Sequence, residues 1–119
     1  MHIPEDALQY VEKMIYLPML LIVLERDYTL FEAGSFKLKG PYLSLINEAR
    51  TSIQGDLKKT KAYLKTNKMK VIRGKTDELF TEYHFHYDGT IDIRRYSNIR
   101  LRNYSEQLLK EYISKATVI

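Results

Sequence analysis

Three groups of residues in this 119-residue chain could do chemistry by type and spacing. The first is Glu82-Tyr83-His84-Phe85-His86-Tyr87-Asp88-Gly89, which holds two of the three histidines. Residues two apart project from the same side of an extended chain. His84 and His86 with Glu82 or Asp92 could therefore form the two-His, one-carboxylate set of a Zn²⁺ or Fe(II) site. A half-exposed strand shows the same spacing with no metal, and the third ligand depends on how the strand pairs. The bland reading weighs more: a solvated face with a hydrogen bond between His84 and Asp92.

The second group lies in LKKTKAYLKTNKMKVIRGKT, residues 57–76, with eight basic residues and no acid. On a helix Lys58, Lys61 and Lys65 share one face. With Lys68, Lys70 and Arg73 they make the kind of electrostatic footprint that meets nucleic-acid phosphates. A solvated helix face is also often lysine-rich, and no recognisable nucleic-acid module accompanies this one. The third group is Arg94, Arg95, Arg100 and Arg102, around the start of the last expected helix. Cations there oppose the helix dipole at a cost of about 0.3–1 kcal/mol each. Guanidinium forks beside free backbone N–H groups could hold a phosphate or carboxylate. Pairing with Glu82, Asp77, Glu78 or acids of the first helix, with stems laid over Tyr96 and Tyr104, accounts for them more simply and weighs more.

Composition removes other chemistry. With no cysteine there is no disulfide framework, thiolate nucleophile or Cys-based zinc site. No nucleophile elbow, HExxH or phosphate-cradling loop is present, and the five glycines are scattered. The chain is therefore expected to be non-enzymatic and to need no cofactor. Ten tyrosines with no tryptophan suit either a protein–protein surface or half-buried helix positions. The net charge of +4 is uneven: residues 1–60 carry seven Lys/Arg against eight Asp/Glu, and 61–119 carry twelve against seven. An electrostatic partner would dock on the second half.

The elements that must position these groups follow from periodicity. Pro4-Glu5-Asp6 starts a helix, and apolar residues recur at helical spacing from Ala7 to Phe31. Pro18 should kink or split it, and Gly34 should cap it. After the linker GSFKLKG, Gly40-Pro41 breaks the chain, and a second helix carries Leu45, Ile46, Ala49, Ile53, Leu57 and Leu64 to Thr66-Asn67. MKVIR reads as a strand closed by Gly74, and 82–94 as a hairpin. A two-residue turn at Asp88-Gly89 would set Phe85 against Asp92 and Tyr83 against Arg94. A three-residue loop Tyr87-Asp88-Gly89 pairs Phe85 with Ile91 and Tyr83 with Ile93, and is expected because it gathers the rings and isoleucines on one face. Ser97 caps a last helix to about Ser114. The expected fold is a single α+β domain over 1–119, with a helical hairpin, a small antiparallel sheet at about 69–95 and a C-terminal helix.

The longest apolar run, MIYLPMLLIVL at 14–24, is 11 residues, too short to cross a membrane, and the EDALQYVEK before it is acidic where a signal peptide is basic. FTEYHFHYDGTIDIRRYSNIRLRNYSEQLLKEY and KGPYLSLINEA resemble, in length and general pattern over most of the chain, the YhjD family of small uncharacterised proteins from Bacillus and related bacteria. The resemblance implies a bacterial, cytoplasmic origin and assigns no residue a role. The first helix is apolar all round between Met14 and Leu24, more than a thin domain needs, so a homodimer is expected, with a partner helix covering the remainder. The expected function is a non-enzymatic interaction or regulatory module. Nucleic-acid binding is the alternative, a metal site the third reading, and no membrane partner is expected.

Overall fold

A computed structural model describes residues 3–116; the outermost residues of the expected 1–119 domain lie outside that range. Helix α1 spans Glu5–Ala33 and α2 Lys39–Thr66, strands β1, β2 and β3 span Met69–Thr76, Phe80–Tyr87 and Thr90–Ser97, and α3 spans Asn98–Ala116. The strands form an antiparallel sheet in the order β1-β2-β3. This is the α+β order the sequence predicts.

Pro4 caps α1, its carbonyl accepting the N–H groups of Ala7 and Leu8 at 3.0 Å, and Glu5 and Asp6 occupy the positive end of the dipole. The helix is not split at Pro18. The missing N–H deprives only the Met14 carbonyl of a helical partner, and Met14 and Pro18 both line an open groove. α1 is therefore long and apolar enough, by length and composition, to cross a membrane, though 39% of its most apolar window is buried inside the fold. Gly34 follows it in extended rather than left-handed backbone, where a Cβ would strike the Phe36 ring at 2.7 Å. Gly40 and Pro41 do not break the chain ahead of α2; they lie in its first turn, where a missing N–H costs nothing. At the other end Asn67 returns its N–H to the Tyr63 carbonyl, and Lys68 adopts φ 53° to turn the chain into β1.

The sheet departs from the expected register. Tyr87 pairs with Thr90, so the turn is the two-residue Asp88-Gly89, both at positive φ (52° and 73°). That is the type I′ geometry whose twist matches the strands, and Asp-Gly is built for it. Phe85 therefore faces Asp92, Tyr83 faces Arg94 and His84 faces Ile93. The feared clash of rings with charges is settled locally: Arg94 Nε donates to Asp92 Oδ2 at 2.9 Å, and its guanidinium lies 5.5 Å from the centre of the Phe85 ring. The rings still point inward, with Phe85 fully buried, but Ile91 and Ile93 point outward, each 56% exposed. β1 also runs past Gly74 to Thr76, with a bulge between Arg73 and Thr76.

Two cores result. Under the sheet, Ala7, Val11, Ile15 and Tyr16 of α1 meet Leu64, Met69, Tyr83, Phe85 and Leu101. Beyond it, Leu17, Leu20 and Leu24 pack with Ile46, Ala49, Ile53, Leu57 and Tyr112 between three helices. The radius of gyration is 16.3 Å, against about 13.5 Å for a compact chain of this length. The molecule is thus an elongated body of 54 × 33 × 18 Å with a large surface for its volume.

Candidate functional site

The start of α3 is pinned by a polar cluster that propensity alone does not reveal. Asp77 Oδ1 accepts the N–H groups of Leu79 and Phe80 at 2.8 Å, and those two bonds hold the Asp77 carboxyl below its ordinary range. Asn98 donates through Nδ2 to the Asp77 carbonyl and through its backbone N–H to that of Leu79. Thr76 donates to Thr81, whose own proton goes to Asn98 Oδ1 at 2.7 Å. The β1–β2 turn thereby fixes where α3 begins, with one surface feature on either flank.

On the β1 flank a groove of about 720 Å³ runs between α1, the sheet and α3. Met14, Pro18, Met19, Ile22 and Val23 form its α1 wall, an i, i+4 stripe beside the one that faces the core. Ile22 is 66% and Val23 39% exposed, which an apolar stripe in a lone domain does not need. Arg73 and Arg102 stand at its edge, and Ser105 Oγ lies 3.3 Å from Met19 Sδ.

On the β3 flank a pocket of about 570 Å³ holds Arg94, Arg95 and Arg100, with Glu12 and the rings of Tyr16 and Tyr104. The Arg95 guanidinium lies 4.4 Å from the centre of the Phe80 ring, and the ring centres of Tyr16 and Tyr104 are 4.5 Å apart. Ser97 Oγ accepts the Arg100 N–H at 3.4 Å, so the expected cap is present but long. Burial, then the Glu12 charge, pushes the hydroxyls of Tyr16 and Tyr96 up to about 12. Both are therefore proton donors at neutral pH. Three of the four arginines singled out in the sequence line this pocket at the sheet edge, Arg94 from the inner face of β3 and the exposed Arg95 from the outer; Arg102 lines the groove instead.

The basic stretch does not form one surface with them. Lys58, Lys61 and Lys65 are exposed on α2, Lys68 turns the chain into β1, Lys70 is exposed opposite His86, and Arg73 reaches the groove. β1 and β3 are the two edges of the sheet, so lysines and arginine cluster lie on separate flanks. The metal set does not assemble. The corrected register places Asp92 on the inner face and His84 and His86 on the outer, and no metal-holding group of three His, Asp or Glu occurs among the described residues. In place of Asp92, His84 has Glu82 beside it, Nε2 to Oε2 at 3.7 Å, beyond a hydrogen bond. Its ring lies across the bulge, where a Cβ at Gly74 would come within 2.6 Å of Nε2.

The family model described as "YhjD protein" matches residues 2–117. The chain belongs to the YhjD family. It is 33% identical over 112 residues to a relative from Bacillus subtilis (strain 168), named "Uncharacterized protein YhjD", covering 94% of this chain and 93% of the relative. No solved structure matches the chain. Family membership carries no catalytic or binding role to any residue of the groove or the pocket, so a function has to be argued from the geometry of these two features.

Proposed function

We propose that this YhjD-family chain is a non-enzymatic interaction module of the bacterial cytoplasm that pairs with a second copy of itself through the α1 groove. The carrying observation is Ile22, exposed on a helix whose neighbouring stripe is core and beside a groove of matching apolar character. A two-fold axis lets Ile22 and Val23 of each copy enter the groove of the other, so one patch serves both sides. The exposed Leu30, Phe36, Leu38 and Tyr42 at the α1–α2 tip add surface of the composition that interfaces favour.

Nucleic-acid binding draws less support because its basic residues lie on separate flanks. The test is light scattering after size exclusion at increasing concentration. A species of about twice the 14.1 kDa chain mass, reduced to the single chain by Ile22→Glu with an unchanged circular dichroism spectrum, supports the reading. A single-chain mass at several hundred micromolar refutes it. Flotation with lipid vesicles separates the competing use of the same face against a membrane, and a low-salt duplex DNA shift separates the electrostatic one.

A further inference from the structure

The geometry points to the β3-flank pocket as a binding site for a small phosphate monoester whose body carries hydroxyl or amino donors and a flat face. This does not rest on self-association, because the groove and the pocket lie on opposite edges of the sheet.

Selection of residue type is the first observation. Twelve of the nineteen basic residues are lysines, yet the three that line this pocket are all arginines. Guanidinium is the cation suited to a partly enclosed oxyanion, since it is weakly hydrated and presents paired donors in one plane. A solvated face drawing on the same supply would show mostly lysine.

The second observation is what these arginines lack. Arg94 is matched by Asp92, its Nε donating to Oδ2 at 2.9 Å. Among the described residues, no carboxylate comes within 4.0 Å of Arg95 or Arg100. Arg95 instead has its guanidinium over the Phe80 ring, with the Asp77 charge acting on it only from beyond ion-pair distance. Arg100 sits in the first turn of α3, where a cation opposes the helix dipole and an anion between the two relieves both.

The third observation sets the rest of the ligand. Glu12 shares the pocket and makes no ion pair among the described residues. A carboxylate only accepts hydrogen bonds, so it repels a bare multivalent anion and favours a molecule with donors some way from its charged end. Tyr104 is 52% exposed, with one side against Tyr16, leaving a ring face for stacking. The volume of about 570 Å³ falls in the range of small-molecule pockets, roughly 300–1,000 Å³. Phosphate at Arg95 and Arg100, donors at Glu12 and a flat body on Tyr104 describe the nucleoside monophosphate class.

Calorimetric titration of the full chain with adenosine monophosphate, inorganic phosphate and adenosine tests this. Saturable 1:1 binding of the monophosphate is expected, at least about tenfold tighter than either part alone. Arg95→Gln and Arg100→Gln should each weaken it by about tenfold or more, as loss of a charge-assisted hydrogen bond implies. Lys58→Gln and Lys61→Gln should leave it unchanged, and Glu12→Gln should reduce the preference for the monophosphate over inorganic phosphate. No heat or amide shift at 5 mM monophosphate overturns the assignment. So does binding no tighter than that of inorganic phosphate, or binding insensitive to Arg95→Gln and Arg100→Gln in chains whose circular dichroism shows them folded.

Discussion

Tyr112→Phe tests whether the three-helix core is held by a polar bolt as well as by apolar packing. Tyr112 projects from α3 into the cluster of Leu17, Leu20, Ile53 and Leu57, and its hydroxyl donates to Asp56 Oδ2 at 2.5 Å. A hydrogen bond to a charged acceptor contributes about 1.5–3 kcal/mol. Asp56 is only half-buried, so water recovers part of its solvation when the hydroxyl goes. The expected loss is therefore about 1–1.5 kcal/mol. At about 2.1 cal/mol/K per residue this chain unfolds with an entropy near 0.25 kcal/mol/K, which makes the shift about 4–6 °C in Tm. A melt followed at 222 nm reads it. Because the hydroxyl and carboxylate act together, Asp56→Ala and Tyr112→Phe should be sub-additive by at least about 0.5 kcal/mol in a double-mutant cycle. A Tyr112→Phe change within about 0.3 kcal/mol of zero, or simple additivity, refutes the bolt.

Three further outcomes follow from the same physics. Burial first, then the hydrogen bond to Asp56 and its charge, pushes the Tyr112 hydroxyl above its ordinary range, and burial raises Tyr16, Tyr83 and Tyr96 too, Tyr16 and Tyr96 to about 12. All four protonated forms stabilise the fold fully below pH ~10, and the contribution of Tyr16 and Tyr96 is lost as pH rises towards 12; urea unfolding from pH 9 to 11.5 should fall by up to ~1.4 kcal/mol per pH unit per tyrosine, less steeply in Tyr112→Phe. Gly55→Ala fills open space on the exposed side of α2 and should raise stability by about 0.5–1 kcal/mol, whereas Gly89→Val forces a β-branched residue to φ 73° and should cost at least about 1–2 kcal/mol, both read by denaturant titration. Phe85→Ala empties the best-buried ring of the sheet core and should cost about 3–5 kcal/mol by the same measurement.

The sequence shows element order and type plainly, since helical periodicity over 29 and 28 residues is hard to mistake. Its one large misreading has a definite cause. Facing apolar pairs argued for a three-residue loop, but Asp88-Gly89 specifies a type I′ turn, and turn geometry sets register before side chains meet. Asp92 and Arg94 could then go inward because they neutralise each other over Phe85, a contact visible only once the register is known. That single shift also removed Asp92 from the histidines and turned Ile91 and Ile93 to solvent. The arginine cluster was legible as a broken local rule, since three of four cations opposing a helix dipole do converge. Its tyrosine walls were not, because Tyr16 and Tyr104 are 88 positions apart and meet only through α1–α3 packing.

The two flanks differ in what they ask of a partner because α1 is apolar over more of its circumference than one core can use. Leu17, Leu20 and Leu24 satisfy α2 and α3, which forces Pro18, Met19, Ile22 and Val23 onto the β1 side. Glu12 and Tyr16, beneath the arginines, stand seven residues before Met19 and Val23, on the same side of α1 but two turns nearer its start. An association surface and a charged pocket are thus successive stretches along one helix, reached from opposite edges of the sheet. Substitutions on one side should therefore leave the other intact: Ile22→Glu should abolish pairing while preserving ligand binding, and Arg100→Gln should do the reverse. Loss of both by either single change would show that the two sides are not independent.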